Sequence, residues 1–178
     1  IKIIGSNKKS NGILVTGVES DTSYLRHTIF TNLSNVSDKN WGLTGSVNFY
    51  KSPVNIEKCS FKQNNGTDDL LNLVRTDFLI KDCLFVGSYA DALDADFCKG
   101  KIINTKFFSS GNDALDFSGS EIVLSDILIE SVGDKAISAG EGTDIIGSKI
   151  KVADSEIALT SKDDSYIKFN NVIISDSK

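Results

Sequence analysis

The phrase D-A-L-D-A-D at residues 91–96 returns as D-A-L-D-F at 113–117 and as D-K-A-I-S-A at 134–139, so that Leu93, Leu115 and Ile137 recur every 22 residues. A fixed period of that size marks a solenoid, because each repeat is one supersecondary unit that buries its apolar face only against its neighbours. The same register extends in both directions. Upstream, Val54-Asn55-Ile56 aligns with Phe78-Leu79-Ile80, and Cys59-Ser60-Phe61 with Cys83-Leu84-Phe85. Downstream, Phe85, Phe107, Ile129, Val152 and Ile174 form one column, and Cys83, Thr105, Ile127, Ile150 and Val172 form a second. A third is expected to run Leu71, Leu93, Leu115, Ile137, Ile157, and a fourth Leu73, Ala95, Phe117, Ala139, Leu159.

Within each repeat, apolar and polar residues alternate over three to five positions and are then broken by a turn, the period of a half-buried strand. Three short strands per turn with stacked apolar columns predict an all-β fold, a single-stranded parallel β-helix of about seven coils and roughly 34 Å in length at the usual strand spacing. Leucine-rich repeats share the period but need an L-x-x-L-x-L pattern that is absent here. An antiparallel sandwich gives no reason for columns at constant offset. The chain reads as one domain over residues 1–178, with irregular coils over 1–52, a polar loop near residues 5–12, and regular coils over 53–178.

Composition narrows the partners. The net charge is −5, with 24 acidic against 19 basic residues and no basic block, which argues against nucleic acid, whose phosphates need clustered cations. No apolar run approaches the roughly 20 residues of a membrane span. The chain starts at Ile1 without Met or a signal-peptide pattern, and reads as a mature product or a piece excised from a longer protein. Three Cys do not make a disulfide framework. Cys59 and Cys83, in equivalent positions of successive coils, read as small core residues, with a bridge between them as the alternative.

The coils resemble the right-handed parallel β-helix repeats of the pectin-lyase-like superfamily. More narrowly, GNDALDFSGSEI at 111–122, GDKAISAGEGT at 133–143 and LTSKDDSYI at 159–167 are similar to a bacterial β-helix module found beside CotH-type domains in surface and secreted proteins. The resemblance implies right-handed coiling, an extracellular or cell-surface location and flanking domains as partners. The superfamily's amphipathic N-terminal capping helix is not evident in this sequence, and no single activity follows from the module.

Alternation turns Leu93, Ala95, Leu115 and Phe117 inward and so sends Asn72, Asp94, Asp116 and Ser138 outward as a column, with Asp96 and Ser118 beside it and Asp69, Asp91, Asp113 and Lys135 at the preceding turn. Stacked carboxylates about 5 Å apart repel by about 1 kcal/mol in water and by more in a less polar groove. Three offsets are available: a cation such as Ca²⁺ on Asp91, Asp94, Asp113 and Asp116; a raised pKa, as acid catalysts use; or salt bridges to Arg75, Lys99 or Lys135. Stacked Asp side chains also bind local backbone N–H groups for purely structural reasons. Carbohydrate binding would use Asn72, Asp94, Asp96 and Lys135, with Trp41, Tyr24, Tyr50 or Tyr89 as a stacking ring. Catalysis on a polysaccharide would use a carboxyl pair from Asp94, Asp113 and Asp116, since glycoside hydrolysis needs two carboxyls about 5 Å apart for retention or about 6.5 to 9.5 Å for inversion. The single histidine, His27, reads as a packed or surface residue, and Glu141 as a surface turn residue. The primary functional expectation is a non-catalytic surface module that presents neighbouring domains and binds polysaccharide on its acidic face; the alternative is a lyase, epimerase or hydrolase.

Overall fold

The computed structural model describes residues 1–6, 11–17, 20–38, 40–64 and 66–177, and the loop over 7–10 lies outside them. Among the described residues there is no helix, and the chain winds through about six turns of a parallel β-solenoid. One face begins with Ile13–Thr16, Gly45–Tyr50, Asp69–Val74, Asp91–Asp96 and Leu115–Ser118. A second begins with Ser23–Arg26, Val54–Glu57 and Asp77–Lys81, and a third with Lys2–Ile4, Ile29–Thr31, Ser60–Lys62 and Leu84–Val86. Later strands run through the bends, as in Glu121–Gly140 and Asp144–Ser161. A small antiparallel pair, Ser37–Asp38 with Trp41–Gly42, stands off the ladder.

The turns that bound each strand are single residues in the left-handed region. One corner column runs His27, Lys58, Asp82, Asn104, Asp126, Lys149, Asn171; a second Lys51, Arg75, Phe97, Gly119, Glu141, Asp163; and a third Asn32, Gln63, Gly87, Ser109, Ser131, Asp154, Asp176, all with φ between 45° and 70°. This conformation costs an L-residue roughly 1–2 kcal/mol, least for Asn and Asp, which recur here. Each corner then ties its backbone to the next coil, as in Arg75 N to Asp96 O at 2.8 Å and Lys58 N to Lys81 O at 3.0 Å.

The inward residues form continuous columns. Phe30, Phe61, Phe85 and Phe107 stack ring on ring at 4.7 to 4.9 Å between centroids, and Ile129, Val152 and Ile174 continue them in register. The third and fourth columns need correction in their last coil. Ile137 pairs with Leu159 and Ala139 with Ser161, while Ile157 pairs with Lys135 and is exposed. The cause is a register irregularity between Val132 and Lys135, which simple counting along the repeat cannot see. In the last strand, Tyr166–Ser177, the inward side chains Val172 and Ile174 are uncovered.

Beside the apolar columns runs a polar one. Just after the second corner column lie Ser52, Thr76, Cys98, Ser120, Thr143 and Ser165. Cys98 N donates to Ser120 Oγ at 2.9 Å, Ser120 N to Thr143 Oγ1 at 3.1 Å, and Thr143 N to Ser165 Oγ at 3.0 Å. Thr76, Cys98, Ser120 and Thr143 in turn donate to a carbonyl two or three residues back, so these side chains bridge a buried N–H of one coil to a carbonyl of the next. Thr28, Cys59, Cys83 and Thr105 build the equivalent ladder after the first corner column. The cysteines are therefore ladder members, buried and free, and the structure contains no bridge between Cys59 and Cys83.

Candidate functional site

The first face is not a flat strand. Leu70 and Leu71, Ala92 and Leu93, Ala114 and Leu115, and Ala136 and Ile137 are consecutive pairs buried in the core. Alternation fails at this step because the chain bends there, so that two consecutive side chains enter the core, Leu70 as well as the smaller Ala92, Ala114 and Ala136. The residue before each pair and the residue after it then share the concave outer side. The first coil shows how close they lie: a Cβ added to Gly45 would meet Asn48 Oδ1 at 2.8 Å and Asn72 Cβ at 2.6 Å.

Two columns thus line one groove. The first is Gly45, Asp69, Asp91, Asp113, Lys135, and the second is Asn48, Asn72, Asp94, Asp116, Ser138. The register is the one read from the repeat, but the exposure is not. Asn48, Asn72 and Ser138 are only 1%, 4% and 0% exposed, so the column is a groove floor. Asp94 and Asp116 are half-buried, and so are Asp96 and Ser118 beside them.

The groove aspartates divide into two kinds. Asp91 Oδ1 accepts the N–H of Asp113 and the amide of Asn112, each at 2.8 Å, and Asp113 Oδ1 accepts the N–H of Lys135 at 3.0 Å. These two carboxyls satisfy backbone donors of the following coil and are structural. Lys135 also closes the column as a cation, reaching Asp113 at 3.4 Å and Asp134 more closely. Asp94 has no such duty. Among the described residues it accepts only the Nδ2–H of Asn72, at 2.9 Å, and burial, reinforced by the charges of Asp69, Asp96, Asp116 and Asp91, pushes its carboxyl up to about 9. Burial likewise pushes Asp69 up to about 7 and Asp113 to about 6, and raises Asp91 and Asp96. Among the described residues, Asp69 Oδ2 and Ser138 Oγ are buried without hydrogen-bond partners. Protons retained on Asp94 and Asp69 offset part of the repulsion in the stack, and the Lys135 cation beside Asp113 offsets another part.

The other offsets fall out differently. Lys99 pairs with Glu121 at 2.9 Å on the second face, and the Arg75 guanidinium lies 5.4 Å from the centre of the Phe97 ring, so of the three cations only Lys135 joins the groove carboxyls. Among the described residues no three His, Cys, Asp or Glu side chains converge to hold a metal ion. Backbone N–H groups already occupy Oδ1 of Asp91 and Oδ1 of Asp113, two of the four carboxyls a Ca²⁺ would use. Trp41 stands on the antiparallel pair outside the ladder columns, half exposed. His27 and Glu141 are exposed corner residues. The exposed Phe97 was not legible as a site neighbour; it follows Asp96 directly and covers Gly119 of the next coil.

Two sizeable concavities lie elsewhere. One, about 550 Å³, is a trough on the second face lined by Pro53, Leu79, Lys101, Val123 and Ile146; the other, about 630 Å³, lies at the last coils beside Leu128, Lys151, Val172 and Ile173. The first also gathers Asp77, Glu121 and Asp144, with Lys99 paired to Glu121, and the second holds the Asp126–Lys149 pair, so their carboxyls face cations, whereas the groove stacks carboxyl on carboxyl.

No protein-family model and no curated protein matches the chain. Among solved structures, the catalytic domain of Agl-KA is similar at 13% identity and a TM-score of 0.47, over 85% of this chain and 44% of that one. HetL, a pentapeptide repeat protein involved in heterocyst differentiation regulation in the cyanobacterium Nostoc, gives 12% identity and a TM-score of 0.17 over 91% and 90% of the two chains.

Proposed function

We propose that the chain is a rigid, non-catalytic β-helix module of an extracellular or cell-surface protein, which spaces its neighbouring domains and holds a carbohydrate chain along the strip of Asp94, Asp96, Asp116 and Ser118. The observation that carries this reading is the division of labour in the groove. Asp91 and Asp113 are committed to backbone donors, whereas Asp94 and its neighbours remain partly open. A carboxyl that keeps its proton donates a hydrogen bond, and neighbouring oxygens accept one, the mixture that sugar hydroxyls match. The resemblance of the coils to pectin-lyase-like repeats beside CotH-type domains supports the surface setting and the flanking partners.

A second reading, a polysaccharide-active enzyme, is favoured by one feature. Asp94, whose carboxyl is pushed up to about 9, stands one coil from Asp116, and a backbone spacing of about 5 Å in the strand ladder leaves the two side chains within reach of the separation that a retaining carboxyl pair needs. Affinity electrophoresis and product analysis on neutral and uronic-acid polysaccharides, with and without Ca²⁺, separate the two. The first reading expects retarded migration without product, weakened in Asp96→Ala. Product release that Asp94→Asn abolishes would replace it with the second, and no retardation or product on any polymer would defeat both.

A further inference from the structure

We propose that Cys59 and Cys83 are an oxidisable pair, forming one disulfide that staples two successive coils when the protein meets a small-molecule disulfide such as oxidised glutathione. The register sets them side by side: Val54–Glu57 pairs with residues 78–81 before them, and Ser60–Lys62 with Leu84–Val86 after them. Stacked positions in neighbouring strands lie about 4.8 Å apart, inside the Cα window of about 4.4–6.8 Å for a disulfide. The Cys83 sulfur already leans across the gap, 3.4 Å from Cys59 N and 3.6 Å from Ile56 O, both in the preceding coil.

The ladder explains why a thiol is tolerated here but not why two are adjacent. Thr28 and Thr105 occupy the same column and make the same hydrogen bond to the carbonyl two residues back. Hydroxyls would therefore serve at positions 59 and 83 as well. The third cysteine is an internal control. Cys98 sits between Thr76 and Ser120 in the other ladder, with no thiol above or below it. In the closed coil the hydrogen bond from Cys83 lowers the pKa of the Cys59 thiol, while burial raises that of Cys98.

The exchange balances as two protein thiols and one glutathione disulfide giving one protein disulfide and two glutathione thiols. The Cys59 thiolate attacks one glutathione sulfur, a mixed disulfide forms and the first glutathione leaves. Cys83 then attacks the Cys59 sulfur, the second glutathione leaves, and the two leaving sulfurs carry away the two protein thiol protons. Cys59 and Cys83 are 1% and 3% exposed, so the reaction proceeds while the coils assemble or open.

The test is refolding of the chain in glutathione buffers of graded oxidation, alkylation of the remaining thiols and peptide mapping. The expected product is a Cys59–Cys83 linked peptide with Cys98 alkylated. Its melting temperature should lie on the order of 5–10 °C above that of the dithiothreitol-treated protein, as for a disulfide closing a loop of this size in a chain of this length. Cys83→Thr, which copies Thr105, should fold and abolish the oxidised-minus-reduced difference, and Cys98→Ser should keep it. Three alkylated thiols in the most oxidising buffer, a linked peptide containing Cys98, or equal melting of the oxidised and reduced forms would each overturn the proposal.

Discussion

Asn72 donates its Nδ2–H to Asp94 Oδ2 at 2.9 Å across one coil step, so the carboxyl that holds its proton most strongly in the groove is also anchored by an amide on the buried floor. The folded pKa of Asp94, about 9, lies far above that of an unfolded aspartate, about 4. Between these values the folded chain binds a proton that the unfolded chain has lost, and stability falls as pH rises. Asp69, at about 7, and Asp113, at about 6, add to the fall in the lower part of the window. Thermal melting is therefore expected to be highest near the acid end of that window and to decline towards pH 9. Asp94→Asn, whose amide oxygen still accepts from Asn72, should flatten the decline and melt higher than the parent under alkaline conditions. An unchanged decline in the variant would assign it to other groups.

Ser120 carries one rung of the hydroxyl ladder, accepting from Cys98 N and donating to Ser118 O. Ser120→Ala leaves a buried N–H unpaired and should cost about 1–3 kcal/mol in urea unfolding. Ser120→Thr should recover most of that, because Thr76 and Thr143 fill the same column. Equal losses for Ala and Thr would show that packing, not the rung, sets the cost.

Phe85 is packed between Phe61 at 4.7 Å and Phe107 at 4.8 Å. Phe85→Ala removes a fully buried ring and two stacking contacts, and about 3–5 kcal/mol should be lost. Phe85→Leu should lose distinctly less. Guanidinium melts of the two variants check the order.

Gly100 lies beneath the Phe78 ring, which occupies the space a Cβ would take. Gly100→Ala should destabilise by about 1–3 kcal/mol through overpacking. Combined with Phe78→Leu, it should cost less than the two single changes added together. Strict additivity in a double-mutant cycle would refute the contact.

Because no three acidic side chains converge among the described residues, and one oxygen each of Asp91 and Asp113 is held by a backbone donor, EDTA is expected to leave the melting temperature unchanged, and millimolar Ca²⁺ to raise it by less than a degree or so. A larger rise would require a calcium site in the folded state.

The fold was legible because the columns of a solenoid repeat the same packing problem once per coil, and Leu93, Leu115 and Ile137 solve it with the same kind of residue each time. The register of the groove came with it, from Asn72 to Ser138. What alternation could not reveal was the kink. A strictly alternating strand sends Ala92 outward with Asp94, whereas both Ala92 and Leu93 enter the core. Burial of Asn72 and Ser138 follows from that bend, and so do the high proton affinities of Asp69 and Asp94. The corner columns were also hidden, since Phe97, Arg75 and Lys58 have none of the usual marks of a left-handed residue. The displacement of Ile157 from the expected column depends on an irregularity beyond Val132 that no periodic reading contains.

The single-residue corners bear on how the protein meets a protease. An endopeptidase must thread a stretch of extended, unpaired backbone through its own cleft, and exposed tips are where it usually finds one. A bend of one residue, hydrogen-bonded to the coil beyond it, offers no such stretch. Limited digestion should therefore spare the regular coils and cut first near Trp41, leaving the rest of the rod as one resistant fragment.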